Sequence, residues 1–325
     1  MKPDVSILIV TYNSGDEISR CLHSVFAPGR RVREEVVIVD NGSTDNTVAV
    51  VREQFPQVKL VVPGSNLGFA AGVNLAARHA TADYFLLLNP DTELLGHAVD
   101  RVVDFAREYP HHGLYGGRTL KPDGTLEPSS CWGLPTLWSL TMFATGLSTI
   151  APRNRWLDPE SLGRWARDTV REVGIVTGCF LLVHRAVWEL LGGFDERYFM
   201  YGEDVDLAIR ARAAGLRPVI CPDAQLVHEI GRSSATPAAK MLLLFRGKAS
   251  VIRTHWRGYR RSAGLALLVA GVGLRAFLSA VAARLRGRPS ARRWETVWEQ
   301  RRTWLQGYPE RPATPPGGLR TAFGY

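Results

Sequence analysis

Residues 84–93 read Tyr-Phe-Leu-Leu-Leu-Asn-Pro-Asp-Thr-Glu, an apolar run that stops abruptly at Asn89, Pro90 and Asp91. An unalternated run of this length is the pattern of a strand covered on both faces. Pro90 has no amide proton to give to a ladder, so the strand must end there. Open α/β sheets take their ligands just outside the carboxyl ends of such strands, and the carboxylate of Asp91 stands in that place. Three further apolar runs ending in polar residues lie upstream of it, and an acidic helix start lies downstream.

The chain around this run alternates. Strand-like stretches at 5–12, 34–40, 58–63 and 84–89 are followed by helical patterns over 16–25, 46–54, 69–78 and 97–108. Alternation at this spacing predicts an α/β fold with a mostly parallel sheet and helices on both faces. Right-handed crossovers then place those strand ends along one edge. From residue 113 to about 168 the pattern is irregular. A turn signal at 121–124 and Trp132, Trp138, Trp156 and Trp165 among Pro and Gly predict a hairpin and a mobile, aromatic-rich acceptor region. A strand running into a helix resumes at 179–193. A helix opens at Gly202-Glu203-Asp204 and ends near Gly215, and two apolar runs close a domain of residues 1–235.

The 325 residues are 46% apolar and 22% charged, ordinary for a globular protein with a large core. Met1-Lys2-Pro3-Asp4 runs straight into the first apolar stretch, so no leader peptide is expected. Cys21, Cys131, Cys179 and Cys221 are far apart and form no Cys-x-x-Cys pair, which disfavours a disulfide framework or a zinc site and suits a reducing cytoplasm.

The net charge of +9 is local. Lys240 to Arg302 holds 15 Lys/Arg against two acids, so this segment carries +13 and the remainder −4. That excludes a nucleic-acid partner for the whole protein and points to an anionic membrane surface. The uninterrupted apolar stretch at 263–274 has 12 residues, against about 20 for a bilayer span, and Arg275 would lie near mid-membrane. Residues 236–306 are therefore expected to form a basic, amphipathic helical region lying on the cytoplasmic face of the membrane. A tilted span and a helix packed over the catalytic domain are the alternatives. Residues 307–325 are expected to be a disordered tail.

Each strand end offers chemistry. Thr11, Tyr12 and Asn13 follow the first, where short polar groups can meet a base or ribose edge. Asp40 ends the second and can accept from a pyrimidine imide N–H, while Ser43, Thr44 and Asp45 are good helix caps. Within 65–74, Gly68 and Gly72 permit close backbone approach at a helix start, which suits a diphosphate. Asp91 is a candidate ligand for Mg²⁺ or Mn²⁺, held together with phosphate oxygens. Glu203 and Asp204 are candidate general bases, whereas Asp206, with Arg210 four residues on, reads as structural. His228 precedes Arg232 and Ser233, which can hold phosphate.

The ordered set VTYNS, VDNGSTD, NLGFAAGVN, LNPDT, GGFDERYFMYGEDVD and VHEIGRSS, spread over residues 4–235, resembles the family-2 inverting glycosyltransferases. The nearest resemblance is to bacterial rhamnosyltransferase-like members that act on cell-envelope glycans. The resemblance implies a GT-A fold, a nucleotide-diphosphate sugar donor, a divalent metal and a single displacement. It implies that Thr11, Tyr12, Asn13 and Asp40 contact the base and ribose, and that Asn66 and Gly68 lie along the donor. It further implies that Asp91 and His228 hold the metal and that Asp204 is the general base. Asn89 stands where the family's metal motif has its first Asp, and an amide there can bond the ribose. A glycan or polyprenyl-linked acceptor would be reached at the membrane.

Two rival classes leave their own marks. A nucleotidyltransferase should carry a Gly-rich, basic loop after the first strand, where this chain has Thr11-Tyr12-Asn13-Ser14. A non-catalytic nucleotide-sugar-binding scaffold on the membrane should have lost Asp91 or the Glu203-Asp204 pair, and both are present. A hydrolase would need water in place of the acceptor.

Overall fold

The computed structural model describes residues 2–229, 236–286 and 292–309. It opens with four β-α units: β1 (Val5–Thr11), α1 (Gly15–Val25), β2 (Glu34–Asp40), α2 (Thr47–Gln54), β3 (Lys59–Val61), α3 (Phe69–His79) and β4 (Tyr84–Leu88), then a short edge strand β5 (Thr92–Leu94) and α4 (Ala98–Glu108). The middle of the chain holds β6 (Leu114–Leu120), β7 (Cys131–Trp132), α5 (Leu137–Ala144), α6 (Leu147–Ile150), β8 (Arg171–Glu172), β9 (Ile175–Val176) and β10 (Phe180–His184). It continues through α7 (Arg185–Leu191), α8 (Glu203–Ala213), β11 (Val219–His228), α9 (Pro237–His255), α10 (Gly258–Arg286), α11 (Arg293–Glu299) and α12 (Arg301–Trp304).

The main sheet has the order β3-β2-β1-β4-β10-β6-β11-β5. Its first four strands are parallel, with Thr11 beside Asp40 and Ile9 beside Leu88, so their carboxyl ends share one edge. Beyond β4 the sheet is mixed. β10 runs antiparallel to both β4 and β6, and β5 runs antiparallel to β11. Alternation along β4 sends Leu86 and Leu88 into the core under α1 and α4, and Phe85 and Leu87 into the core under α3, α7 and α8. Each such side chain removed from water contributes roughly 1.5–3 kcal/mol.

Three sequence expectations change. The turn at 121–124 forms, with the Lys121 amide donating to the Thr125 carbonyl at 2.8 Å. No two-stranded hairpin follows, because β6 is an inner strand between β10 and β11 and only a bridge joins Leu120 to Leu126. The proposed tail boundary at 307 falls too early. Tyr308 is buried, its hydroxyl donates to the Met200 carbonyl at 2.6 Å, and its amide donates to Ser250 Oγ at 2.7 Å. Residues 310–325 lie outside the described residues.

The third change concerns the basic segment. α9 crosses the start of α8 so closely that a Cβ on Gly247 would lie 2.1 Å from the Tyr201 carbonyl oxygen. The segment therefore begins with a helix packed on the catalytic unit. One helix among the described residues, within Gly258–Leu285, is long and apolar enough to cross a membrane. Its Leu268, Val272 and Ala276, at helical spacing, are buried, the first two in a cluster with Leu140 of α5 and Val297 of α11. Arg275 is spent on the protein as well. Its guanidinium donates to the Phe143 carbonyl at 2.7 Å and to Thr149 Oγ1 at 2.7 Å, and it lies over the Phe143 ring. The far side of the same helix leaves Phe277, Leu278, Val281 and Leu285 exposed.

Candidate active site

A cleft of about 710 Å³ opens at the carboxyl edge of the parallel strands. Thr11, Asn13, Asn66, Asn89, Asp91 and His228 face it from the strand ends and the loops after them, and Glu203 and Asp204 from the start of α8. The described site residues predicted from the sequence thus converge, except that Asp40 and Gly68 do not line the cleft. Arg232 and Ser233 lie outside the described residues.

The first two strand-end loops are sewn together. The Asn13 amide donates to Ser43 Oγ at 2.8 Å, and Asn13 Oδ1 accepts from the Thr44 amide at 2.8 Å. Asp40, 1% exposed, accepts from the Ser43 amide at 2.9 Å and from Ser43 Oγ at 2.5 Å. Its carboxylate thus shapes this loop, which the assignment to a base N–H did not foresee. Thr11 Oγ1 is buried without a hydrogen-bond partner and Tyr12 is exposed, so both remain available to a ligand.

Gly68 departs from its expected place along the donor. Its φ is +83°, and a Cβ there would fall 2.3 Å from the Phe199 carbonyl oxygen. The Phe69 amide, first in α3, already donates to that oxygen at 2.7 Å. The glycine therefore admits the 194–202 loop, and the first amide of this helix is taken by protein. Asn41, not singled out among the candidate site residues, is buried and donates to the Gly68 carbonyl at 3.0 Å while lining the cleft.

Asp91 and His228 meet because of strand register. His228 pairs with Thr92 across β11 and β5, and the Glu229 amide donates to the Asp91 carbonyl at 3.1 Å. This sets His228 Nε2 3.2 Å from Asp91 Oδ1, an oxygen that is buried and has no hydrogen-bond partner of adequate geometry. On the other side of the ring, Nδ1 lies 3.2 Å from Ser129 Oγ and 3.7 Å from Glu127 Oε2. Burial works against charge on this imidazole, yet Asp91 and Glu127 overcome it and lift its pKa to about 9. Burial likewise opposes ionisation of Glu127, and bonds from His228 and Ser129 prevail to hold its pKa below the usual value. Glu127 was missed in the sequence, where it is a lone acid in an aperiodic stretch whose only mark is capping the turn at 128–130.

No cluster of three His, Cys, Asp or Glu able to hold an ion occurs among the described residues. The orphaned Asp91 oxygen facing a ring nitrogen suits an ion that takes few protein ligands and fills its remaining positions with phosphate oxygens and water. A carboxylate behind the histidine is the usual support for such a ligand.

Across the cleft, Tyr201 (φ +67°) and Gly202 (φ +103°) turn the chain into α8. Glu203 is buried with Oε2 unpartnered, and burial together with neighbouring Asp204 pushes its carboxyl well above the usual range. Asp204 is raised by burial to about 6, less than its neighbour, because the Val205 amide donates to Oδ1 at 2.8 Å. Asp206 points away, as expected. It accepts from His255 at 2.7 Å and from Arg210, which hold its pKa low against burial and tie α8 to α9.

Comparison with known proteins gives the family and the fold. Residues 6–191 match the family model described as glycosyl transferase family 2. The chain is 35% identical over 248 residues to the N-acetylglucosaminyl-diphospho-decaprenol L-rhamnosyltransferase of Mycobacterium tuberculosis, covering 73% of this chain and 79% of that one. A mannosyltransferase of Pyrobaculum calidifontis, solved with GDP-Man and Mn²⁺, superposes with a TM-score of 0.54 at 20% identity over 94% of this chain and 86% of that one. GalNAc-T7, solved with UDP, GalNAc and Mn²⁺, superposes with a TM-score of 0.58 at 14% identity over 79% of this chain and 49% of that one. The two structures speak for the GT-A fold. With the family match spanning more than half of the chain, the ordered strand-end residues are accounted for: this chain is a glycosyltransferase and belongs to family 2.

Proposed function

We propose that the enzyme transfers a sugar, rhamnose by similarity to its mycobacterial relative, from a nucleoside diphosphate to a polyprenyl-diphosphate-linked acceptor, with inversion. The observation that carries this reading is the placing of Asp91 and His228 against the Glu203-Asp204 pair across one cleft. Thr11, Tyr12 and Asn13 bind the base and ribose, with Asp40 holding their loop from beneath. Asn66 and Asn89 lie along the donor. Asp91 and His228 would hold Mg²⁺ or Mn²⁺, which would supply positive charge to the departing diphosphate. A histidine ligand must be neutral, so a bound metal would take the place of the Nε2 proton that faces Asp91.

Asp204 is the group that removes the acceptor proton. With a pKa near 6 it is ionised at neutral pH yet basic enough to accept. Glu203, its carboxyl raised well above the usual range by burial and by Asp204, favours the protonated form, which would spare the site a second negative charge. The acceptor oxygen attacks the anomeric carbon from the face opposite the nucleotide, and the bond to the diphosphate breaks in the same displacement.

The domain picture in this reading is a catalytic unit, residues 1–235, with a C-terminal helical region whose α10 lies in the membrane interface. The exposed stripe Phe277, Leu278, Val281 and Leu285 and the cations at its ends support that placement. Calorimetric titration with UDP, dTDP and GDP, each with Mn²⁺ or EDTA, tests the donor site. Tight, metal-dependent binding of one nucleotide is expected, and binding of none by folded protein would sink the catalytic reading.

A further inference from the structure

The cleft wall opposite the strand ends is built by α9, which presents Lys240, Leu244 and Lys248 at spacings of four on one helix face. The two lysines differ. Lys248 Nζ is 3.0 Å from Glu160 Oε2, and Glu160 also accepts from Ser139 Oγ at 2.7 Å, so this charge is internally neutralised. The Lys240 ammonium has no ion-pair or hydrogen-bond partner among the described residues.

Beyond the Lys248–Glu160 pair, the Asp91–His228 pair and Glu203, whose carboxyl is raised, the acids that face the cleft are Glu17, Asp158 and Asp204. A substrate that brings a second diphosphate beside the donor's own meets repulsion from these groups unless a cation stands on its side. An unspent cation on a cleft wall is a phosphate ligand by its chemistry.

Its place in the fold favours the acceptor. α9 and α10 are consecutive helices folded back on each other, with Phe245 packed in one cluster with Leu268 and Val272. Moving five residues back along α9 to Lys240 therefore moves about five forward along α10, toward its exposed stripe at 277–285. Leu244, exposed beside Lys240, adds apolar surface at the cleft mouth. A phosphate at Lys240 would have its hydrocarbon on the side where α10 is apolar and uncovered.

We propose that Lys240 binds the diphosphate of the lipid-linked acceptor, orienting its sugar toward Asp204. This rests on the reading that the acceptor is a lipid diphosphate sugar. The test compares full-length wild type, Lys240→Met and Lys240→Arg in transfer to a prenyl-diphosphate-linked sugar, alongside calorimetric affinity for the nucleoside diphosphate that wild type binds. Lys240→Met is expected to raise the acceptor KM roughly 10- to 100-fold, the range of a charge-assisted hydrogen bond. Its kcat and nucleotide affinity should stay near wild type, and Lys240→Arg should restore most of the acceptor affinity. A weakened nucleotide affinity would instead assign the lysine to the donor, and an unchanged acceptor KM would leave it no role; either result overturns the proposal. If wild type binds nucleotide but transfers to no lipid diphosphate sugar, the acceptor reading fails and this assignment falls with it.

Discussion

Replacing Asp204 by Asn separates catalysis from folding in a single variant. The amide keeps an oxygen to accept from the Val205 N–H and has the same size, so the helix start should be preserved. Transfer should fall roughly 10²–10⁴-fold, the contribution of a positioned general base, with nucleotide affinity unchanged. Stability should move the other way. The carboxyl is raised in the folded protein from 3.8 to about 6, so the folded state prefers the protonated form. Relative to the unfolded chain this favours folding below pH 3.8 and is lost as pH rises through 6. Above that, the ionised carboxylate costs up to about 3 kcal/mol, at 1.36 kcal/mol per pKa unit. Asp204→Asn should therefore unfold later than wild type in urea at pH 8 and match it near pH 4. Single-turnover transfer measured against pH should rise in wild type through an apparent pKa near 6, a value that belongs to the Glu203-Asp204 pair. Normal turnover by the variant, or equal stability at pH 8, would refute the assignment of a strained, proton-accepting Asp204.

Three further outcomes follow from the same geometry. Glu127→Gln should weaken Mn²⁺ binding roughly 10- to 100-fold in the presence of nucleoside diphosphate, as removal of a carboxylate behind a ligand histidine does; an unchanged Mn²⁺ affinity would deny it that role. Gly68→Ala should cost at least ~2 kcal/mol in urea unfolding, because the left-handed backbone penalises a Cβ that would also press on the Phe199 carbonyl. Near-wild-type stability would mean the 194–202 loop does not seat as described. Exchange of Phe277 and Leu285 for Ser should reduce sedimentation with anionic liposomes while leaving nucleotide binding intact, and a wild type that ignores liposomes would remove α10 from the membrane.

Much of the donor half was legible in the residues because its signals are local. The β1, β2 and β4 runs are apolar without alternation, and each ends in polar residues within one or two positions of the observed strand end. Asp206 was read correctly as structural, since its partner Arg210 is four residues away on the same helix. Gly68 was misjudged because a positive φ reveals that something approaches the backbone without revealing what. The approaching group is Phe199, 131 residues along the chain. The antiparallel insertion of β10 between β4 and β6 was equally hidden, since a buried strand reads alike in either direction.

What the sequence by itself determined was the class of fold and the inventory of chemistry: a parallel sheet with carboxylates, amides and a histidine at its strand ends, and a basic, apolar carboxyl-terminal third. Tertiary structure alone decided the partnerships. The β11–β5 register sets His228 against Asp91, the 120–130 segment closes Glu127 onto the same ring, and the tight crossing at Gly202 and Gly247 makes α9 a wall of the cleft. Arg275 became a bracket between helices instead of a charge in lipid for the same reason. Periodicity encodes which face of an element is apolar, whereas the meeting of distant faces is settled by how all the elements pack at once.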